Sequence, residues 1–86
     1  MERELIAVAR ARSLVHTAPK RALDLLGSMV RDFPNGYFRE ERSALRVIAL
    51  TEAHSREAIG AAQQHLAAYP NGPFSDRVRQ LLERAR

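Results

Sequence analysis

The chain has 86 residues, a formal net charge of +4 and no cysteine. A chain of this length forms one small domain, and without cysteine it has neither a disulfide framework nor a thiolate nucleophile. No apolar run approaches the ~18–20 residues needed to cross a bilayer. The charged start leads into no signal-peptide core, so we expect a chain that is soluble as written.

Arginine supplies all but one of the 14 basic residues. The guanidinium group favours two-pronged contacts with carboxylates and phosphates, so this excess points to acidic partners. The alternative is compositional, since a chain rich in alanine and arginine is typical of a GC-rich genome. Net charge by itself speaks to solubility and non-specific binding.

Five stretches carry apolar side chains at helical spacing, and none alternates with period two. We expect helices over about 1–16, 19–32, 37–53, 56–69 and 74–85. The first would bury Leu5, Val8, Ala9 and Val15, and the second would bury Ala22, Leu26, Met29 and Phe33, with Leu23 and Val30 alongside. Pro34 and Pro70 end the second and fourth helices, and Ser55 caps the fourth. Connections this short place consecutive helices antiparallel. The sequence therefore predicts an all-α fold.

The third predicted helix is apolar on two sides. Leu45 and Ile48 form one stripe, and Val47 and Leu50 form another. A helix with two apolar sides is covered on both of them, so we expect it at the centre of the fold.

A four-residue turn, aromatic-Pro-Asn-Gly, occurs at residues 33–36 and again at 69–72. A shift of 36 residues aligns 19–50 with 55–86 without a gap, which indicates stacked repeats of about 1–36 and 37–72 followed by a capping helix, 73–86. Gly36 would provide a permissive backbone in the first turn. We expect Phe33 and Tyr69 to seal the helix ends, and Tyr37, Phe38 and Phe74 to fill gaps between the repeats. The alternative is that these turns are binding loops.

This pattern resembles the tetratricopeptide repeat family, which places a small residue early in the second helix of each pair and a proline twelve residues later. Ala22 with Pro34, and Ala58 with Pro70, match that spacing. The chain departs from the family at a second small position, which holds a methionine and a histidine, and in its period of 36 rather than about 34 residues.

The resemblance implies a stack of antiparallel helix pairs, two repeats plus a C-terminal capping helix, five helices in all. It is closest to the longer-period repeats of bacterial envelope proteins, lipoproteins and membrane-anchored regulatory proteins. A place in such a protein would make this chain its soluble domain; otherwise the expected compartment is the cytoplasm.

In that family the first helix of each pair lines a concave groove. By position, five arginines would border it and hold the carboxylates of an acidic peptide; they are Arg3, Arg10, Arg39, Arg42 and Arg46. The alternative is a solvated face on which these arginines pair with neighbouring glutamates at helical spacing, namely Glu2, Glu4, Glu40 and Glu41.

Catalytic and metal-binding signatures are not found in the sequence: it has no nucleophile elbow, no phosphate loop and no histidine pair at i,i+4. We therefore expect a non-catalytic protein–protein interaction module or scaffold, without cofactor or metal. Two repeats are fewer than the roughly three that usually make a stable stack, so a homodimer or a flanking segment would complete it. The competing interpretation is a small basic nucleic-acid-binding protein, based on Arg77, Arg79, Arg84 and Arg86.

Overall fold

The computed structural model describes residues 2–85, which form five α-helices and no strand, so the predicted all-α, five-helix fold is confirmed. The helices are α1 (Glu2–Leu14), α2 (Pro19–Asp32), α3 (Arg39–Glu52), α4 (Glu57–Ala68) and α5 (Ser75–Ala85). Met1 and Arg86, the last of the C-terminal arginines, lie outside the described residues. Across residues 2–85, the helices are too short or too polar for any to cross a membrane.

The third helix is the centre of the molecule, as predicted. α3 contacts each of the other four helices, and α1, α3 and α5 lie side by side in one layer. In the second layer α2 packs on α1 and α3, and α4 packs on α3 and α5. Within residues 2–85 no Cα atom of α2 lies within 8 Å of a Cα atom of α4, so a furrow separates the two helices above α3.

The apolar core consists of two clusters that meet on α3. Leu45 and Ala49 belong to the cluster shared with α1 and α2, whereas Ala44, Val47 and Leu50 belong to the cluster shared with α4 and α5. The two apolar sides predicted for this helix are therefore both buried. Burial on two sides stabilises α3 through more apolar area than any single-sided helix could contribute.

The end of α3 is fixed by a Schellman turn that contains a histidine where glycine is usual. The Ser55 N–H donates to the carbonyl of Leu50 (2.9 Å), and the His54 N–H donates to the carbonyl of Thr51 (3.0 Å). His54 has a φ of 54°, the only positive φ among the described residues. The Ser55 hydroxyl accepts the Glu57 N–H (3.1 Å) from one residue before the N-cap position of α4, which is Arg56 and not the predicted Ser55.

The buried face of α1 differs from the predicted one. Its buried positions, with the residue just after the helix, recur at i, i+4, i+7 and i+11, and are Glu4, Val8, Ala11 and Val15. Leu5 and Ala9, which were predicted to be buried, are exposed. α1 is rotated about its axis relative to the prediction, because Glu4 and not the neighbouring Leu5 faces the interior.

The Glu4 carboxylate joins the first helix to the turn between the repeats. Its side chain is buried, and it accepts the backbone N–H of Tyr37 (2.8 Å) and of Phe38 (3.2 Å). The Arg42 Nε lies 3.9 Å from the same carboxylate and supplies a positive charge. A buried carboxylate requires such partners, because desolvation of an unpaired charge is costly.

Gly36 leaves room for this carboxylate. A Cβ added at Gly36 would lie 2.7 Å from the Glu4 Cδ and closer still to one of its oxygens. Backbone freedom is not the reason for the glycine, because no glycine among residues 2–85 has a positive φ. The prediction of a permissive turn is therefore corrected: a close approach of two chain segments requires this residue.

The second turn repeats the arrangement with fewer partners. Glu40, 36 residues after Glu4, reaches Gly72 in the same way. Pro73 stands where the first turn has Tyr37 and has no N–H to donate, and the Glu40 Oε2 is buried without a hydrogen-bond partner. Ser75 fastens this turn instead, since its hydroxyl accepts the Gly72 N–H (2.9 Å).

The predicted packing of the turn aromatics is wrong at Tyr37. Its side chain is 76% exposed, and its ring meets only the edge of Phe38 at a centroid distance of 5.1 Å. The backbone N–H of Tyr37 donates to the buried Glu4 carboxylate, and this bond holds the Tyr37 ring at the surface. Phe33, Phe38 and Phe74 are partly buried against the core, as predicted.

We expect Gly36→Ala to lower the free energy of unfolding by about 2–4 kcal/mol, because the Glu4 carboxylate must give up its charge-assisted hydrogen bonds. Gly60→Ala is the matched control. A Cβ there meets nothing within 4 Å, and alanine in a helix is favoured over glycine by up to about 1 kcal/mol. Urea unfolding of both variants tests this; equal stabilities would contradict the role of Gly36.

Candidate functional site

The furrow between α2 and α4 forms a groove of about 310 Å³. We call it the α2–α4 groove and define it by its lining residues, which are Leu23, Leu26, Gly27, Val30, Arg39, Arg42, Ser43, Arg46 and Gln64. α2 supplies the first wall and α3 the floor and the basic side, while Gln64 is the contribution of α4. The volume lies at the low end of the range for small-molecule pockets.

The α2 wall of the groove is apolar and open. Leu23, Leu26 and Val30 recur at i, i+3 and i+7, which places them on one helix face. Val30 is 66% exposed, in contrast to its predicted place in the buried stripe of this helix. Between them a Cβ added at Gly27 would meet no atom within 4 Å, so the glycine leaves the groove wide.

The α3 side of the groove is basic, but its three arginines are not equivalent. Arg42 is buried, and its Nη1 donates to the carbonyl of Met29 (2.9 Å). With its Nε facing Glu4, this guanidinium joins α3 to α2 and to α1. Arg42 is therefore a structural residue whose head is already engaged.

Arg39 and Arg46 are exposed, and neither forms an ion pair with any residue from 2 to 85. The glutamates that could have balanced them are engaged elsewhere. Glu4 binds the turn, Glu40 faces Gly72, and Glu41 accepts the Arg12 guanidinium (2.6 Å). The acidic partners of this face are thus directed away from the groove, which leaves two charges available to a ligand.

The structure does not bring all five predicted arginines together. Arg3 and Arg10 are exposed on α1 and do not line the α2–α4 groove, which contains Arg39, Arg42 and Arg46. In the 36-residue alignment Arg3 and Arg10 match Arg39 and Arg46, but α1 has no described helix before it to form a second wall. Their part in partner binding stays a prediction.

Behind the groove lies a buried polar pair. His65 of α4 is buried, and its Nδ1 lies 2.8 Å from the hydroxyl of Ser43, a groove residue. The His65 Nε2 is buried without a partner. Burial lowers the pKa of His65, and the nearby Glu40 carboxylate offsets part of that effect. The imidazole is therefore neutral at pH 7.

No group of three histidine, aspartate or glutamate side chains that could hold a metal ion occurs within residues 2–85. The groove offers guanidinium, hydroxyl and amide groups above an apolar wall. Such a surface can bind carboxylates and apolar side chains.

Sequence reasoning assigned Leu23, Leu26 and Val30 to the core. This is correct for Leu26 and partly correct for Leu23, but Val30 is exposed in the groove. Helical spacing alone does not tell a buried face from an open one. The available signal was Gly27. A glycine in the middle of a helix costs about 1 kcal/mol in helix propensity, and the open space that Gly27 leaves in the groove explains its presence there.

Comparisons with protein-family models, with curated proteins and with solved structures each find no match.

We expect the free energy of unfolding of His65→Met to fall less steeply with decreasing pH than that of the wild type. Because the folded-state pKa is lowered below the ordinary value of about 6.5, the unfolded chain takes up the proton more readily, and stability is lost as pH falls below about 6.5. Methionine occupies the equivalent position, Met29, in the first repeat and suits its packing.

The measurement is the urea midpoint as a function of pH for the wild type, His65→Met and the control His16→Gln, which removes an exposed imidazole. The control should follow the wild type. An unchanged acid slope in His65→Met would assign the pH dependence to other groups.

Proposed function

We propose that this chain is a non-catalytic protein-interaction module and that its α2–α4 groove binds a segment of a partner protein. One observation carries the proposal: Arg39 and Arg46 are exposed and have no ion-pair partner among residues 2–85. They border an apolar wall on which Leu23 is half-buried and Val30 is exposed. Charged groups and apolar surface at one concave site are what a peptide-binding groove combines.

The resemblance to tetratricopeptide repeats supports the same class of function, because those repeats act as scaffolds. It placed the binding surface on the first helices of each pair, whereas the α2–α4 groove lies between the second helices. On that resemblance the proposal extends to a soluble module of a bacterial envelope or membrane-anchored protein. Self-association through an open end of the stack is part of the same proposal.

We expect Gly27→Leu to weaken partner binding by roughly tenfold or more, about 1.4 kcal/mol. A leucine side chain at this position would occupy the groove, while the helix itself would gain stability. Gly60→Leu is the matched control, because Gly60 is also a mid-helix glycine with open space around it and does not line the groove.

The probe is a display library of random peptides of about 14 residues, long enough for a marginal helix. Peptides selected on the wild type are measured by fluorescence anisotropy against both variants. Selected peptides that bind Gly27→Leu as well as Gly60→Leu, or no selected peptides, would refute the groove as the binding site.

A gel-shift series over salt concentration tests the competing nucleic-acid interpretation. Nucleic-acid binding that weakens steeply with salt and disappears in Arg39→Ala/Arg46→Ala would show that these arginines bind phosphates. That result would contradict the proposal. No shift at low salt would exclude the competitor.

A further inference from the structure

We infer that the occupant of the α2–α4 groove is an acidic amphipathic helix of a partner protein, with two carboxylates seven residues apart and apolar side chains midway between them. This inference rests on the proposed function and specifies its ligand. It follows from the spacing of the groove residues, from their charges and from the helices that this chain itself offers.

The apolar wall and the basic side of the groove have the same length. Arg39 and Arg46 are seven residues apart on α3, and Leu23 and Val30 are seven residues apart on α2. At 1.5 Å per residue each pair spans about 10 Å along its helix axis. A ligand that contacts both arginines must therefore present two acidic groups about 10 Å apart on one side.

A helix meets this requirement and an extended strand does not. Residues i and i+7 of a helix lie on nearly the same face and about 10 Å apart. On a strand, residues of one face are separated by about 7 Å at i+2 and about 13 Å at i+4. In the helical ligand, positions i+3 and i+4 fall between the acids, where the apolar row of α2 would receive them.

The charge of the groove selects an acidic ligand. Arg39 and Arg46 have no carboxylate partner within residues 2–85, and the chain as a whole carries a net charge of +4. A second copy therefore approaches against a charge of the same sign, whereas an acidic helix is attracted.

One helix of the chain itself has acids at this spacing. Asp76 and Glu83 of α5 are seven residues apart, but Arg79 and Gln80 stand between them. Arg79 is paired with Asp76 at 2.9 Å, so docking α5 of a second copy would place an arginine against the apolar row. The occupant is accordingly a different protein.

The test uses a helix-biased peptide with glutamates at i and i+7 and leucines at i+3 and i+4. One comparison peptide replaces both glutamates by glutamine, and another moves the second glutamate to i+5, which turns it to another face. Anisotropy is measured with the wild type, with Arg39→Ala/Arg46→Ala, with Arg3→Ala/Arg10→Ala and with Arg77→Ala/Arg84→Ala. The last pair is also seven residues apart but lies exposed on α5.

We expect the glutamate peptide to bind the wild type about tenfold more tightly than either comparison peptide. That advantage should vanish in Arg39→Ala/Arg46→Ala and persist in Arg77→Ala/Arg84→Ala. An equal effect of Arg3→Ala/Arg10→Ala would place the binding face on α1 and overturn the inference.

Two outcomes separate this inference from the proposed function. Peptides that lose affinity with Gly27→Leu but bind equally with glutamate or glutamine would overturn the inference and leave the groove as the binding site. Concentration-dependent dimerisation in light scattering, abolished by Gly27→Leu, would identify a second copy as the occupant and overturn the inference. If no library peptide depends on the groove, the proposed function itself fails.

Discussion

A single buried carboxylate determines how the first helix pair joins the rest of the molecule. Glu4 holds the turn between the repeats by two backbone N–H groups and faces the Arg42 guanidinium. Because its oxygens need these donors, the rotation of α1, the glycine at position 36 and the burial of Arg42 are all determined together. The apolar clusters provide most of the stabilisation, but they are non-directional, and this interaction supplies the geometry.

The same constraint shapes the proposed binding surface. Glu4 binds the turn and faces Arg42, and Glu41 pairs with Arg12. Arg39 and Arg46 are therefore left without an ion-pair partner among residues 2–85. The groove is therefore basic because the nearby acidic side chains are bound elsewhere. Its apolar wall is open because α2 and α4 do not approach each other closely. The contacts of Glu4, Glu41 and Arg42 thus determine both the packing of α1 and the charge of the groove.

The sequence predicts much of the fold and only half of the groove. Helical periodicity and the two prolines locate the helices to within about two residues, and the doubly apolar third helix identifies the centre. Glu4 could not be recognised as buried, because a glutamate in the first turn of a helix is ordinary at the surface, and its partners lie 33 and 34 residues away. The repeat alignment held the clue, since it superposes Glu4 on Glu40 and Gly36 on Gly72.

The proline at position 73 makes the two turns unequal in a way that affects local unfolding. A linear stack opens where the interface between neighbouring units is weakest. The second turn has a carboxylate oxygen without a partner, so we expect Glu40 to hold the turn before α5 less firmly than Glu4 holds the turn before α3, although Ser75 fastens the backbone there. The apolar wall and the basic side of the α2–α4 groove belong to α2 and α3, away from α5. Transient opening of α5 would therefore leave both sides of the groove in place.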